Sequence, residues 1–442
     1  MSENSIKVAP SPYMPIDVLR HHVHVGPEGC WRPMTDGTFA MYPFEFTNWV
    51  DEELSWHDNC YIHAGLNPFL FYVAKGSEFI DLYETVSINS FKDFPVGKAR
   101  HTVVCDPNGK IIIDGIIVRL GEDGYISMCL PDPQMLNQMV GGRFTFDSMD
   151  AGSTRFFFQL CGPRSLEVVE AAAHKDLHDI KFMNIRDTHI AGKSVFILRT
   201  GMAGTLGYEV HGKIEDAITV YNALMEAGQI YGIRELGRHA YRNAHTEGSI
   251  PQIGTHWAST HPPFPIRITG SMSADSPLVY RSPIDLGWEN LIKFDHEFVG
   301  KEALQSELAG HHNSMVTLVW DADDVTAVIR TAFELDNSCD IMDMVEDYDP
   351  VGGNNTVHLD EVYDGDRLIG ASSGRMLSPK TREMISLCTL DEDYAIEGKV
   401  VEVLWGTPGT RQMRIKAKVT LFPYIKKGRN DSFDIESIPH PA

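Results

Sequence analysis

Residues 106–120 read DPNGKIIIDGIIVRL, and the rest of the chain is understood from that stretch outward. Asp106 to Gly109 is a turn made of residues that favour a tight reversal, and the β-branched run behind it is strand-sized. GEDG at 121–124 turns the chain again and GYISMCL returns as the second strand of a hairpin. FLFYVAKG (69–76) is a further strand, and a short helix is expected from near Asn48 in FTNWVDEELSWHDN. Asp114 is the one acid inside the hairpin's apolar run. Such an Asp is either buried at a cost, satisfied by neighbouring donors, or held there for chemistry.

Helices follow the strands. SLEVVEAAAH starts a helix near Ser165 behind Pro163. Ile214, Ala217, Ile218, Tyr221, Leu224 and Met225 repeat at i, i+3, i+4, predicting an amphipathic helix between Ile214 and Gly232. Beyond Met315 the texture changes to short strands (VTLVW, ISLCTL, VVEVLW, AKVTLFPY) cut by Gly, Pro and Asp turns. This predicts two regions, 1–312 and 313–442, with the boundary between Gly310 and Ser314 and a small β-domain in the second. No repeat or low-complexity tract interrupts either region.

Composition narrows the function. The 442 residues carry a formal charge of −23 and are 43% hydrophobic, enough for a large core and the wrong sign for neutralising phosphate backbones. Nucleic acid is therefore not expected as a partner. Seven scattered cysteines without a C-x-x-C pair read as reduced thiols in a cytoplasmic protein. No apolar leader opens the chain, and no run reaches the ~18–20 apolar residues of a membrane span. Neither G-x-G-x-x-G, G-x-x-x-x-G-K-[ST] nor H-E-x-x-H occurs, so phosphate-loop and zincin chemistries lack their signatures. The His-rich run at His21, His22 and His24 has no acidic or Cys partners in sequence, and no metal is expected.

Six stretches, in order, resemble the tetrahydrofolate-using aminomethyltransferase family typified by the glycine-cleavage T-protein. They are DPNGKIIIDGIIV (106–118), LCGPRSLEVVE (160–170), RTGMAGTLGYEVHG (199–212), GRHAYRNAHTEG (237–248), FVGKEAL (298–304) and IGASSGRMLSPKTREMISLCTL (369–390). Within the family, FTNW, SINS, KFDHEFVGKEAL, VTLVWDADD and VLWG are similar to the aryl-ether O-demethylases that act on vanillate-, methylgallate- and syringate-like lignin aromatics. The resemblance implies an α+β fold: a three-lobed ring of two interleaved α+β lobes and a C-terminal small β-barrel, with folate in a central channel. It also implies a cytoplasmic methyltransferase, monomeric or homodimeric, that moves the methyl of an aromatic substrate to tetrahydrofolate.

The resemblance assigns residues. Glu209 would receive the pterin's paired N–H groups on its carboxylate, with Gly207 and the turn from Gly201 allowing close approach; otherwise Glu209 is a solvated strand residue and the glycines only a turn. Asp114 would act in catalysis or orient folate. Tyr241 would stabilise the leaving phenoxide, or else be a core tyrosine. Arg242 would hold a carboxylate of substrate or folate tail. Tyr42 would line the aromatic pocket, as would Trp257 or Phe264 by stacking, although loop packing explains those equally well.

The chain also departs from the demethylase pattern. Asn67 and Pro68 stand where the demethylase His is expected, leaving His63 as a catalytic candidate out of register. Ala40 replaces a tyrosine, Leu130 a carboxylate-binding Arg, and His101 a folate-contacting Tyr of the T-protein. Asp114-Gly115 replaces a pair of acids. These changes keep open a one-carbon lyase that releases formaldehyde from a lignin-derived dimer, with or without folate. The K-G-C-Y-x-G-Q-E signature of the family's iron–sulfur-assembly relatives is absent.

Overall fold

The computed structural model describes residues 31–33, 39–41, 45–64, 66, 70–152, 154–261, 267–345, 356–420 and 422–441. In chain order the first elements are β1 (Trp31–Pro33), β2 (Phe39–Met41), α1 (Trp49–Asp58), β3 (Cys60–Ala64), β4 (Phe71–Lys75), α2 (Glu78–Val86), β5 (Ala99–Cys105), β6 (Ile111–Arg119), β7 (Gly124–Met128), α3 (Pro133–Met139) and β8 (Asp147–Asp150). Then come β9 (Arg155–Cys161), α4 (Ser165–Ala173), β10 (Ile185–Ile190), β11 (Lys193–Leu198), β12 (Gly207–Lys213), α5 (Ala217–Gly228), β13 (Ile233–Glu235), α6 (Arg238–Glu247), β14 (Arg267–Thr269) and α7 (Lys301–Ala309). The remainder is β15 (Asn313–Trp320), α8 (Ala322–Thr331), β16 (Thr356–His358), β17 (Asp360–Asp364), β18 (Arg367–Leu377), β19 (Met384–Asp391), β20 (Val400–Trp405) and β21 (Met413–Thr420).

Local chemistry sets these boundaries. Asn48 caps α1, its side chain accepting from Asp51 N at 3.0 Å. Asp321 caps α8 by accepting from the backbone of Asp323 and Asp324. The helix expected from Ile214 to Gly232 is shorter. It opens as a 3₁₀ turn at Ile214–Asp216, runs as α5 and ends in a second such turn. The apolar periodicity continues into these turns because a 3₁₀ turn also brings i and i+3 onto one side.

The chain builds two sheets alternately. β3 enters a six-stranded sheet ordered β10-β11-β12-β9-β3-β13. β4 to β8 then form a separate five-stranded sheet ordered β5-β6-β7-β4-β8, and β9 returns to the first. This is an α+β arrangement with interleaved sheets. The expected hairpin is β6–β7, with Ile116 opposite Met128. The first sheet packs Phe158, Leu160, Val210 and Ile62 against α4 and α5 (Val168, Val220, Leu224). The second packs Ile112 and Ile117 against Phe79 and Leu82 of α2. From Asn313 the chain closes a barrel ordered β15-β19-β18-β17-β20-β21, with β21 pairing back onto β15. Alternating inward residues such as Val316, Leu318, Val401, Val403, Ile415 and Ala417 fill it.

Candidate functional site

Three neighbouring strands place one line of polar groups inside the first sheet. Gln159 on β9 lies directly opposite His63 on β3 and opposite Glu209 on β12. Residues facing one another across strands point to the same side, so the three side chains meet. Gln159 Nε2 donates to Glu209 Oε1 at 3.1 Å, while Gln159 Oε1 faces His63 Nε2 at 3.3 Å and accepts from Tyr61 Oη at 3.2 Å and Met202 N at 3.3 Å. On the other oxygen, Glu209 Oε2 is 3.0 Å from Nε2 of His211, two residues on along β12. Phe196 stacks on the His211 ring at 4.5 Å. A buried carboxylate held at both oxygens is fixed in position, and each oxygen keeps a second lone pair for an incoming donor.

Burial sets the charge states here. His63 is driven down to about 3 by loss of water, only partly countered by Gln159, so it is neutral near pH 7. His211 is lowered for the same reason despite its bond to Glu209. Nδ1 of each ring is buried and has no hydrogen-bond partner among the described residues. Tyr241, on α6, presents its ring edge-on to His63 at 5.2 Å, and its hydroxyl oxygen accepts from Gln252 Nε2 at 2.9 Å. Three of the expected residues, Glu209, His63 and Tyr241, are thus gathered in one place.

Asp114 and His101 form a second group. His101 Nε2 sits 2.9 Å from Asp114 Oδ2, with both side chains partly open, and Trp288 meets the imidazole edge at 5.1 Å. The pair is diagonal across β5 and β6, because Asp114 is opposite Val103. Cys129, just past β7, joins the groups: burial first, then the charges of Glu209 and Asp114, raise its thiol far above the ordinary range. No second acid fits beside Asp114. A Cβ on Gly115 would lie 2.2 Å from Met128 O and 2.7 Å from Leu130 Cγ.

The other expected residues are placed as follows. Gly207 has no room for a side chain, because a Cβ there would be 2.7 Å from Cys161 Sγ. The Gly201–Gly207 turn also presses Gly204 onto Gly248 at the end of α6, where a Cβ would meet Gly248 Cα at 2.9 Å. Arg242 is buried on α6, where its charge adds to burial in keeping His245 and His256 neutral. Trp257 departs from expectation: it has no exposed surface and packs in a core with Val103, Ile284 and Leu387, so it does not stack over an open pocket. Its large apolar ring gains more from that core than from an exposed loop. Tyr42, Asn67, Pro68, Phe264 and the His21–His24 run lie outside the described residues.

Gln159, His211, Tyr61 and Cys129 were not singled out from sequence. Glu209 and His211 stand two apart in GYEVHG, a spacing that puts both on one strand face and could have paired them. Gln159 in RFFFQLC has no such signal.

A family model described as the GCVT N-terminal domain matches residues 41–275, more than half of the chain. The chain belongs to the GCVT family. Over 432 residues it is 39% identical to the sesamin methylene transferase of Sinomonas sp. (strain No.22), covering 92% of this chain and 95% of the relative. Identity to the syringate O-demethylase of Sphingobium sp. (strain NBRC 103272 / SYK-6) is 28% over 438 residues, covering 89% and 92%. Identity to a Bacillus cereus aminomethyltransferase is 24% over 363 residues, covering 80% and 84%. The crystal structure of glycine cleavage system aminomethyltransferase T from Bartonella henselae superposes with a TM-score of 0.63 at 16% identity, covering 96% and 99%. The fold is therefore that of the T-protein, and this GCVT chain is an enzyme of the transferase class. Among the described residues, no helix is long and apolar enough to cross a membrane.

Proposed function

We propose that this GCVT-family enzyme transfers a one-carbon unit from an aryl ether to tetrahydrofolate, releasing a phenol. The observation that carries the reading is the line His63–Gln159–Glu209 with Tyr241 at its end: a fixed buried carboxylate for a planar array of N–H donors beside a phenol for a departing oxygen. The names of the relatives, a methylene transferase and an O-demethylase, support the same reaction class.

The residues present fit a reduced pterin. Glu209 keeps acceptor capacity on both oxygens, and the Nδ1 atoms of His63 and His211, without a partner among the described residues, offer further polar contacts. Tetrahydrofolate, when bound, supplies a ring nitrogen that accepts the carbon. Glu209 binds and orients it, with Gly207 allowing close approach. Neutral His63 cannot act as a cationic acid near pH 7, so it orients substrate by hydrogen bonding. Tyr241 Oη stabilises negative charge on the leaving phenolic oxygen. Asp114 and His101, held together with Oδ2 and Nε2 2.9 Å apart, would act as one unit that orients folate. Arg242 balances an anionic group on substrate or folate tail.

Two donors suit this chemistry. A methyl ether would give 5-methyltetrahydrofolate. A methylenedioxy bridge would give methylenetetrahydrofolate and a catechol, a reading favoured by the 39% identity to a methylene transferase against 28% to an O-demethylase. Anaerobic incubation with tetrahydrofolate and a panel of methoxylated and methylenedioxy aromatics tests the proposal, with folate products separated by chromatography. Formaldehyde released without folate would indicate the lyase alternative, and no one-carbon product from any donor would refute the reading.

A further inference from the structure

Outside the His63–Gln159–Glu209 line, α1 carries Glu53 and His57 four residues apart, a spacing that puts both on one helix face. α6 packs against that face and brings Glu247, so one ligand atom from each of the three residues falls within 4.8 Å of the others. Both carboxylates have no exposed surface, and the His57 side chain is 8% exposed. Glu247 and Tyr241 share α6 but lie about 120° apart around its axis.

Each carboxylate has one oxygen held from outside the cluster. Trp56 Nε1 donates to Glu53 Oε1 at 2.9 Å, and Ser378 Oγ donates to Glu247 Oε1 at 2.6 Å. The other oxygens turn inward: Glu247 Oε2 lies 3.0 Å from His57 Nε2, and Glu53 Oε2 is buried without a hydrogen-bond partner among the described residues. Two inward carboxylate oxygens and one imidazole nitrogen, oriented by outer donors, make the donor set of a divalent metal with an open position. A dication would also offset two like charges that are costly to bury together.

We propose that Glu53, His57 and Glu247 bind a zinc-like divalent cation that fastens α1 and α6 to the barrel. The link to the barrel runs through Ser378, in the turn between β18 and β19, and is reinforced where Lys380 Nζ meets Asp58 Oδ1 at 2.6 Å. The site depends on neither folate nor the aryl ether.

The test uses the full chain, stripped with chelator and then titrated with zinc chloride alone, reading bound metal by elemental analysis and thermal stability in parallel. One zinc per chain and a raised melting temperature are expected. Glu53→Gln is the deciding variant, because glutamine mimics a protonated carboxyl and keeps the shape. It should lose the metal and the zinc-dependent stabilisation, weakening binding by about tenfold or more. His57→Gln, at a ligand nearer the surface, should do the same and serves if Glu53→Gln fails to fold. The proposal is overturned if the wild type takes up no zinc, or if these variants keep the full metal content. Either result would leave Glu53 and Glu247 as a carboxyl pair sharing a proton.

Discussion

His63, His245 and His256 are neutral in the folded chain because burial strips them of the water an imidazolium needs. Their acidity is consequently tied to stability. An unfolded histidine titrates near ~6.5, so as pH falls below that the unfolded chain takes up a proton that folded His63 refuses until about 3. Stability is lost through that window, by about 1.4 kcal/mol per pH unit for each such histidine. Glu52 has the opposite sign. Burial raises it to about 7, so its contribution is present below the unfolded carboxyl value and fades as pH rises through 7. Urea unfolding of wild type and His63→Gln from pH 4.5 to 6 separates the two. The variant's slope against pH should be shallower by about 1.4 kcal/mol per unit, and equal slopes would show that His63 is already charged in the fold. Glu209, Asp114 and Tyr241 were proposed from sequence because each sits in a motif of the resembling family. Gln159 was not: one amide in an apolar strand has no pattern, and its position opposite both His63 and Glu209 exists only once three distant segments pair.

At the scale of elements, the β6–β7 hairpin was readable from its turns and β-branched runs, while the consequence of its packing was not. The resemblance implied that Gly115 stands where the T-protein carries an acid; the structure shows that β7 runs too close to allow one, with Met128 O inside the volume of any Cβ. Asp114 therefore turns to His101 in place of a neighbouring carboxylate. Gly115→Ala forces the strands apart or the residue out of register, and should destabilise by roughly 2–4 kcal/mol, at the severe end for a single added methyl. The urea midpoint measures this, and an unchanged midpoint would mean the strands yield easily. An exposed helix start offers the comparison. Asp321→Ala removes a cap and should cost about 1 kcal/mol by the same measurement. The ends of α5 were misread because the periodicity test does not distinguish a 3₁₀ turn from the helix it joins.

For the molecule as a whole, a small β-domain could be foreseen from its run of short strands and its barrel form from the family resemblance, but not the path of the chain after it. Past β21 the chain returns to the first sheet, where Asn430 closes a three-way contact. Its Oδ1 and backbone O accept from Arg199 Nε and Nη2 at 3.1 and 2.7 Å, and its Nδ2 donates to Gly207 O at 3.0 Å. Arg199 and Asn430 are both buried, so neither has water to replace the other. No local pattern announces a bond between residues 231 positions apart. Its placement ties the C-terminus to the start of the strand that carries Glu209. Asn430→Ala strips partners from Arg199 Nε and from the Gly207 carbonyl, and leaving such buried groups unmet should cost about 1–3 kcal/mol. The loss should also reach the site, because the Gly207 backbone fixes the start of β12. A raised KM for tetrahydrofolate with kcat little changed would mark this route, since binding geometry shifts while Tyr241 and His63 stay in place. A variant that loses stability with an unaltered KM would show that the tail acts only as a clasp.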